Sequence, residues 1–409
     1  MIEVAVFGAG FVGLSTAIAL KQSGADVVLV DKDGLGAGAS SGNAGIIQSE
    51  AMVPYGMPRD IASLIKTLFG RDSSVALRFP GILNLVKPLA SYYVNSGASG
   101  LERAAQPYSE LIKNATQAHF DLADLAGAKN LFHSGGYRMR FTRQSEMDKS
   151  FEGASRMANT YGLPVRTLSS DEFLAAEPGI ADPGVGAIEW SGTHHVTKPQ
   201  QLLKIYFDYF DSIGGQLVQG DALSLSNDRS GWAFTTNDGP ISVQQVVVAT
   251  GAQTAGVVRH LGGTVPILPK RGYHAVLPGG RRLNAPLIDV EFGLALSPQG
   301  DRLRVATGVE LGGKEALTNS RQLNAGIVQA ARLFGTNDSP ESTWSGLRPC
   351  IPDMLPVMGK SQRNEGLWYN FGHGYQGLTL GPLSGRLLAR SLLLGQSIDP
   401  ALSPSRFAL

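Results

Sequence analysis

Residues 4–31 read VAVF, GAGFVG, LSTAIALKQSGA and DVVLVD, and their reading decides the fold. An apolar strand runs into Gly8-Ala9-Gly10-Phe11-Val12-Gly13, an apolar helix pattern follows, and a second apolar strand ends on Asp31. This is the GxGxxG spacing of a dinucleotide-binding strand–turn–helix–strand unit. Gly8 permits the tight turn, Gly10 lets backbone approach a pyrophosphate, and Gly13 lets the helix pack on the strand. The helix N-terminus offers free N–H groups and a positive dipole end to phosphates. Asp31 is placed to accept hydrogen bonds from a ribose hydroxyl. An ordinary glycine-rich turn would leave that terminal acid without a purpose.

At 409 residues the chain has room for two or three domains. With 35 Lys and Arg against 34 Asp and Glu, the net charge is +1, which argues against nucleic acid as a partner. Local pairs such as Arg281-Arg282 read as solvated loop charges. The single cysteine, Cys350, forbids an intrachain disulfide. The apolar N-terminus lacks the basic start of a signal peptide, and no apolar run reaches the ~20 residues of a membrane span. A cytoplasmic protein is expected, with room for peripheral contact at the inner membrane face.

Further along, residues 34–48 (GLGAGASSGNAGIIQ) form a second Gly/Ser-rich loop, able to reach the far half of a dinucleotide. Helical periodicity marks 59–69 and 103–127, then 144–161, 170–176 and 321–333. Tyr137, Met139 and Phe141 alternate with polar residues as in a half-buried strand. Thr197 is the expected N-cap of a helix with Pro199 at its first turn. Gln245–Gly251 reads as a buried parallel strand with a ligand at its carboxyl end. Strand patterns fall around 273–277, 286–296 and 302–309, and the chain closes with strand 366–371, the turn GHGYQG and helix 378–394. The fold class is mixed α/β. A discontinuous Rossmann-like domain is expected from 1–48, 143–170, 196–262 and 343–409. A mostly antiparallel β substrate domain is expected from 49–142, 171–195 and 263–342.

Six segments together carry a resemblance. They are GAGFVG (8–13), SSGNAGIIQ (40–48), VVVATG (246–251), PKRGYHAVLP (269–278), WSGLRPCIPDMLPVMG (344–359) and WYNFGHGYQGLTLGP (368–382). In this order they resemble the glycine-oxidase and D-amino-acid-oxidase class of flavoproteins, and most of all bacterial D-amino-acid dehydrogenases. The resemblance implies noncovalent FAD, a two-domain fold and oxidation of a C–N bond next to a carboxylate. Hydride would pass to flavin N5, giving an imine and then keto acid plus amine. Position 31 is Asp where many relatives carry Glu, and either acid accepts from a ribose hydroxyl.

On this resemblance the cofactor contacts are expected at Gly8, Gly10, Phe11, Val12 and Gly13, at Asp31 and Lys32, and along Ser40, Ser41, Asn43, Ala44, Gly45 and Ile46. Ala222, Thr250 and Gly251 are expected to join them, with Gly372, His373, Gly374, Gly377, Leu378 and Thr379 against the isoalloxazine. Helix-end amides in the GHG turn would stabilise the charge of a reduced flavin. The alternative for this turn is an ordinary strand-to-helix connection with a capping histidine.

Arg348 stands in GLRP, where a planar guanidinium can hold a carboxylate bidentately and Pro349 biases its backbone toward extension. The alternative is a structural arginine paired with Asp353 or the flavin. Tyr273 is a candidate carboxylate ligand, with either Tyr273 or His274 facing inward because neighbours on a strand point apart. His373 and Tyr55 complete the expected substrate contacts. His194-His195 lack cysteine or acidic companions, so no metal is expected. The substrate is expected to be a D-amino acid or an N-substituted or cyclic amino acid, and the electron acceptor a quinone or another acceptor. Two rival readings are an NAD-linked reductase on the same dinucleotide fold and a non-catalytic flavin-binding subunit.

Overall fold

The structure is a computed structural model that describes residues 3–59, 74–78, 81–228, 231–278, 283–313 and 317–409. Beyond Arg59, the helix expected over 59–69 lies outside the described residues, as does the Arg281-Arg282 pair.

The opening unit forms as its glycines require. Val4–Phe7 is a strand, Phe11–Gln22 a helix and Val27–Asp31 a second strand. In one sheet the order is Gln216–Gln219, Val27–Asp31, Val4–Phe7, Gln245–Val248 and Leu367–Phe371, all parallel, with Val357–Lys360 antiparallel at the edge. Alternate residues of Val4–Phe7 enter different cores. Val4 and Val6 pack with Leu14, Ile18 and Leu388 under the helices. Ala5 and Phe7 pack with Trp232 and Phe234, which cover the opposite face from a three-stranded antiparallel sheet. A strand buried on both faces needs an unbroken apolar run, and each fully buried Val or Leu contributes about 1.5–3 kcal/mol.

The second large sheet is mostly antiparallel and has ten strands. At its centre Leu268–Leu277 pairs with Arg302–Ala306 and with Ser342–Cys350. All but the first residue of the latter strand lie within 343–409 of the expected nucleotide domain, yet it hydrogen-bonds into this sheet. So does Val165–Ser169, which pairs with Gly186–Trp190. Conversely, helix Ala98–Ala126, expected with the substrate domain, sends Leu122 and Ala123 into the core of the N-terminal helix.

Two local expectations are corrected. Lys198, not Thr197, occupies the N-cap position of helix Pro199–Ser212, and no side chain caps it. Proline at the first helical position needs no donor there, so the helix starts without a hydroxyl. Strand Tyr137–Phe141 is not half-buried, because Arg138 and Arg140 are buried too. Arg138 pairs with Glu177 and, at 2.8 Å, with Glu189. Arg140 pairs with Asp182 at 2.6 Å and Asp289 at 3.3 Å. Buried charges persist where they are paired in this way.

Candidate active site

A cavity of about 1000 Å³ lies at the carboxyl ends of the parallel strands and extends beneath the second sheet. At one end it is lined by Gly8, Gly10, Phe11 and Val12, with Asp31 and Lys32 beside them. Gly8 has φ +110°, and a Cβ there would stand 2.4 Å from Ala249 O. On Gly13 it would stand 1.7 Å from Gly8 O, so helix and turn touch through backbone. Gly13 itself is buried behind the turn and does not line the cavity. The N-terminal helix has no acidic residue in its first turn and no capping side chain on Gly10. Ser40 Oγ accepts from Phe11 N at 3.1 Å. This helix start, floored by glycine and met by the Ser40 hydroxyl, fits a phosphate group.

Asp31 is more heavily engaged than a ribose ligand alone. Its Oδ2 accepts from Ala9 N at 2.8 Å, and its Oδ1 from Asp33 N at 2.8 Å and Gly34 N at 3.0 Å. The carboxylate therefore also ties the glycine turn to the end of its strand.

Ser40, Asn43, Ala44 and Ile46 line the middle of the cavity, and Ala222, Thr250 and Gly251 line its flank. Ser41 and Gly45 serve the loop instead. Ser41 Oγ donates to Gly36 O at 2.7 Å, and Gly45 (φ +81°) donates its N–H to Asn43 Oδ1 at 2.7 Å. Arg304, buried, donates to Asn43 O and thereby fixes the loop from the second sheet. Trp344 also lines this region, stacked on His274 with ring centroids 5.2 Å apart.

At the far end the turn Gly372-His373-Gly374 opens on the cavity with Gly377 and Leu378. Gly372 and Gly374 have φ +81° and +56°, and Gly374 N donates to Pro349 O at 3.1 Å. That bond moors the turn to the strand carrying Arg348. Burial pushes the His373 imidazole down to about 3, so it is neutral, and its Nε2 has no hydrogen-bond partner among the described residues. A buried ring nitrogen without a partner beside a large cavity fits a polar group of a bound cofactor. Thr379 stands one turn behind, where its Oγ1 accepts from Gln48 N at 3.4 Å.

Arg348 lines the cavity. Its Nη1 donates to Gly308 O at 2.8 Å and its Nη2 to Thr307 O at 3.3 Å, while Asp353 pairs with Arg406 instead. Tyr55, 47% exposed, lies at the cavity wall edge-on to Tyr375 at 6.1 Å. Tyr273 does not line the cavity, contrary to expectation. Its hydroxyl donates to Glu310 Oε1 at 2.9 Å and accepts from Asn319 N at 2.9 Å, and its ring packs with Ala275 and Leu323. His274 faces the other way onto Trp344. Strand alternation sets the two on opposite faces, His274 against Trp344, and His274 does not line the cavity either.

The sequence reading did not single out Gln48, Glu50, Tyr92 or Trp344. Gln48 Nε2 donates to Tyr55 OH at 2.8 Å and to Glu50 Oε1 at 3.0 Å, and Gln376 Nε2 donates to Gln48 Oε1 at 2.6 Å. Burial raises the Glu50 carboxyl above its ordinary range, against bonds from Thr193 and Gln48 that favour the anion. These are ordinary polar residues in sequence, and only the folded chain assembles them. His194 and His195 point apart, onto Phe120 and His133.

The family model described as "FAD dependent oxidoreductase" matches residues 3–391. A D-amino-acid oxidase of Bradyrhizobium diazoefficiens is 28% identical over 421 residues, covering 99% of each chain. A D-amino acid dehydrogenase of Paramagnetospirillum magneticum is 27% identical over 409 residues, covering 95% of this chain and 94% of that one. Glycine oxidase from Geobacillus kaustophilus shares the fold, with a TM-score of 0.76 at 21% identity over 100% of this chain and 98% of that one.

Proposed function

The chain belongs to the FAD-dependent oxidoreductase family, and from that premise we propose that it oxidises the C–N bond of an amino acid, with Arg348 holding the substrate carboxylate. The observation that carries this reading is the bond from Gly374 N to Pro349 O, which sets a cavity-facing arginine beside the GHG turn. Relatives named D-amino-acid oxidase and D-amino acid dehydrogenase support the substrate class.

Bound FAD supplies a two-electron acceptor. The substrate's α-hydrogen leaves as hydride, the nitrogen lone pair closes the C=N bond, and water hydrolyses an acyclic imine to keto acid and amine. The protein's share is positioning. Gly8, Gly10, Phe11, Val12, Asp31 and Ala222 would hold the nucleotide half, and the 40–46 loop and Thr250 the middle of the cofactor. Gly372, His373, Gly374, Gly377 and Leu378 would hold the isoalloxazine edge. Arg348 has N–H donors beyond those given to Thr307 and Gly308 and can orient a carboxylate. No side chain is required as an indispensable acid or base, since clamping and alignment supply most of the effect.

Anaerobic bleaching of the flavin tests this reading. D-amino acids, D- and L-proline and N-substituted amino acids should bleach it, and NADH should not. Failure of every amino acid while NADH reduces the flavin would replace it. A quinone or dye is the proposed acceptor, so dye reduction should outpace oxygen uptake. No helix among the described residues is long and apolar enough to cross a membrane. A cytoplasmic protein meeting a quinone at the membrane surface fits that acceptor, and vesicle co-sedimentation checks it.

A further inference from the structure

At the substrate end of the cavity two basic side chains face each other. Lys270 and Arg348 are direct partners across the antiparallel pair Leu268–Leu277 and Ser342–Cys350, so both side chains leave the same face. Both line the cavity. Tyr375 lies close to both, its ring centroid 5.5 Å from Lys270 Nζ and 5.2 Å from Arg348 Cζ. Lys270 also rests on the Tyr92 ring at 4.0 Å. The two charges therefore lie within the length of one small molecule.

Like charges set directly across a sheet destabilise it, the more so when buried. Lys270 is only 6% exposed. Among the described residues no carboxylate forms an ion pair with either cation. The neighbouring acids are committed elsewhere: Glu310 to Arg271 and Arg78, Asp353 to Arg406. Asp31 and Asp33 belong to the nucleotide end. Lys270 is buried with its ammonium against the Tyr92 and Tyr375 rings, so aromatic faces rather than an anion surround it.

One carboxylate answers one cation. We propose that Lys270 is a second anion-binding residue of the substrate pocket, and that the substrate is an amino acid bearing a second carboxylate on its side chain or its nitrogen. The inference rests on the amino-acid reading above and names its substrate class. Lys270 then sets specificity, and Arg348 holds the first carboxylate.

The test uses the oxidised, FAD-replete protein, in which no reduced-flavin charge competes for Lys270. Glutarate and butyrate differ by one carboxylate, and their binding is compared by titration calorimetry at fixed ionic strength. Glutarate should bind on the order of tenfold more tightly. Lys270→Met should bring that ratio toward one, and Lys270→Arg should retain most of it. Equal binding of the two acids to the wild type, or a ratio unchanged in Lys270→Met, overturns the inference. Anaerobic reduction by D-glutamate and by N-carboxymethyl-D-alanine then locates the second carboxylate. Rapid reduction by neutral amino acids without a glutarate preference would sink this inference and leave the amino-acid reading standing. A glutarate preference without reduction by any amino acid would leave Lys270 as an anion-binding residue and overturn the amino-acid reading together with the substrate class named here.

Discussion

The guanidinium of Arg348 occupies the space over Gly272, where a Cβ would stand 2.4 Å from Nη2 and 2.5 Å from Cζ. The glycine is what lets the arginine lie across its neighbour strand and reach the Thr307 and Gly308 carbonyls. Gly272→Ala should therefore displace the guanidinium while leaving the cofactor turn untouched. We expect FAD content near that of the wild type and a half-saturation concentration raised on the order of tenfold. Unchanged saturation kinetics would separate Gly272 from the clamp.

Arg348→Ala removes the clamp outright. Loss of a charge-assisted bidentate bond should cost about 2–4 kcal/mol of transition-state stabilisation. Arg348→Lys should recover only part of it, because a point charge does not fix the carboxylate plane. Stopped-flow reduction of FAD-replete variants measures both. Loss of FAD from Arg348→Ala would move the residue to the cofactor.

Gly10→Val tests the phosphate cradle. A Cβ on Gly10 would stand 2.9 Å from Ser40 Oγ, and the valine methyls extend further toward the helix start. The folded variant should purify largely without FAD, read as lost flavin absorbance. Asp31→Ala should also lower the stability of the FAD-free protein. It removes an acceptor from three backbone N–H groups, each bond being worth about 0.5–1.5 kcal/mol net. Full flavin occupancy in Gly10→Val would contradict the assignment.

The nucleotide half of this site was legible because local constraints write it. Gly8 needs a positive φ and Gly13 a backbone contact, and no other residue type fits either. The substrate half is assembled by pairing across long sequence separations. Lys270 meets Arg348 only because their strands are in register, and Glu50 meets Thr193 across 143 residues. Tyr273 shows the limit most plainly. Alternation gave two outcomes, and the choice depended on Trp344 and Glu310, which periodicity along one strand does not contain.

His119 supplies a pH-dependent link between the helical layer and the site. It is fully buried on helix Ala98–Ala126. Its Nε2 donates to the carbonyl of cavity-lining Leu378 at 2.7 Å, and its Nδ1 accepts from Tyr206 OH at 3.2 Å. Burial pushes its pKa down from 6.5 to about 4, against the Leu378 bond. Between those values the unfolded chain binds a proton that the folded chain refuses. The stabilisation is therefore complete above about pH 6.5 and drains away as pH falls toward 4, by about 1.4 kcal/mol per pH unit at most. His195, His274 and His373 are depressed by burial too and add to the same trend. His119→Gln keeps a donor near the Leu378 carbonyl but does not titrate. Its urea midpoint at pH 7 should fall, because glutamine packs less well than imidazole. Its loss of stability between pH 6.5 and 4.5 should be shallower than that of the wild type. Equal slopes in the two proteins would mean that the folded protein takes up a proton at His119 as readily as the unfolded chain.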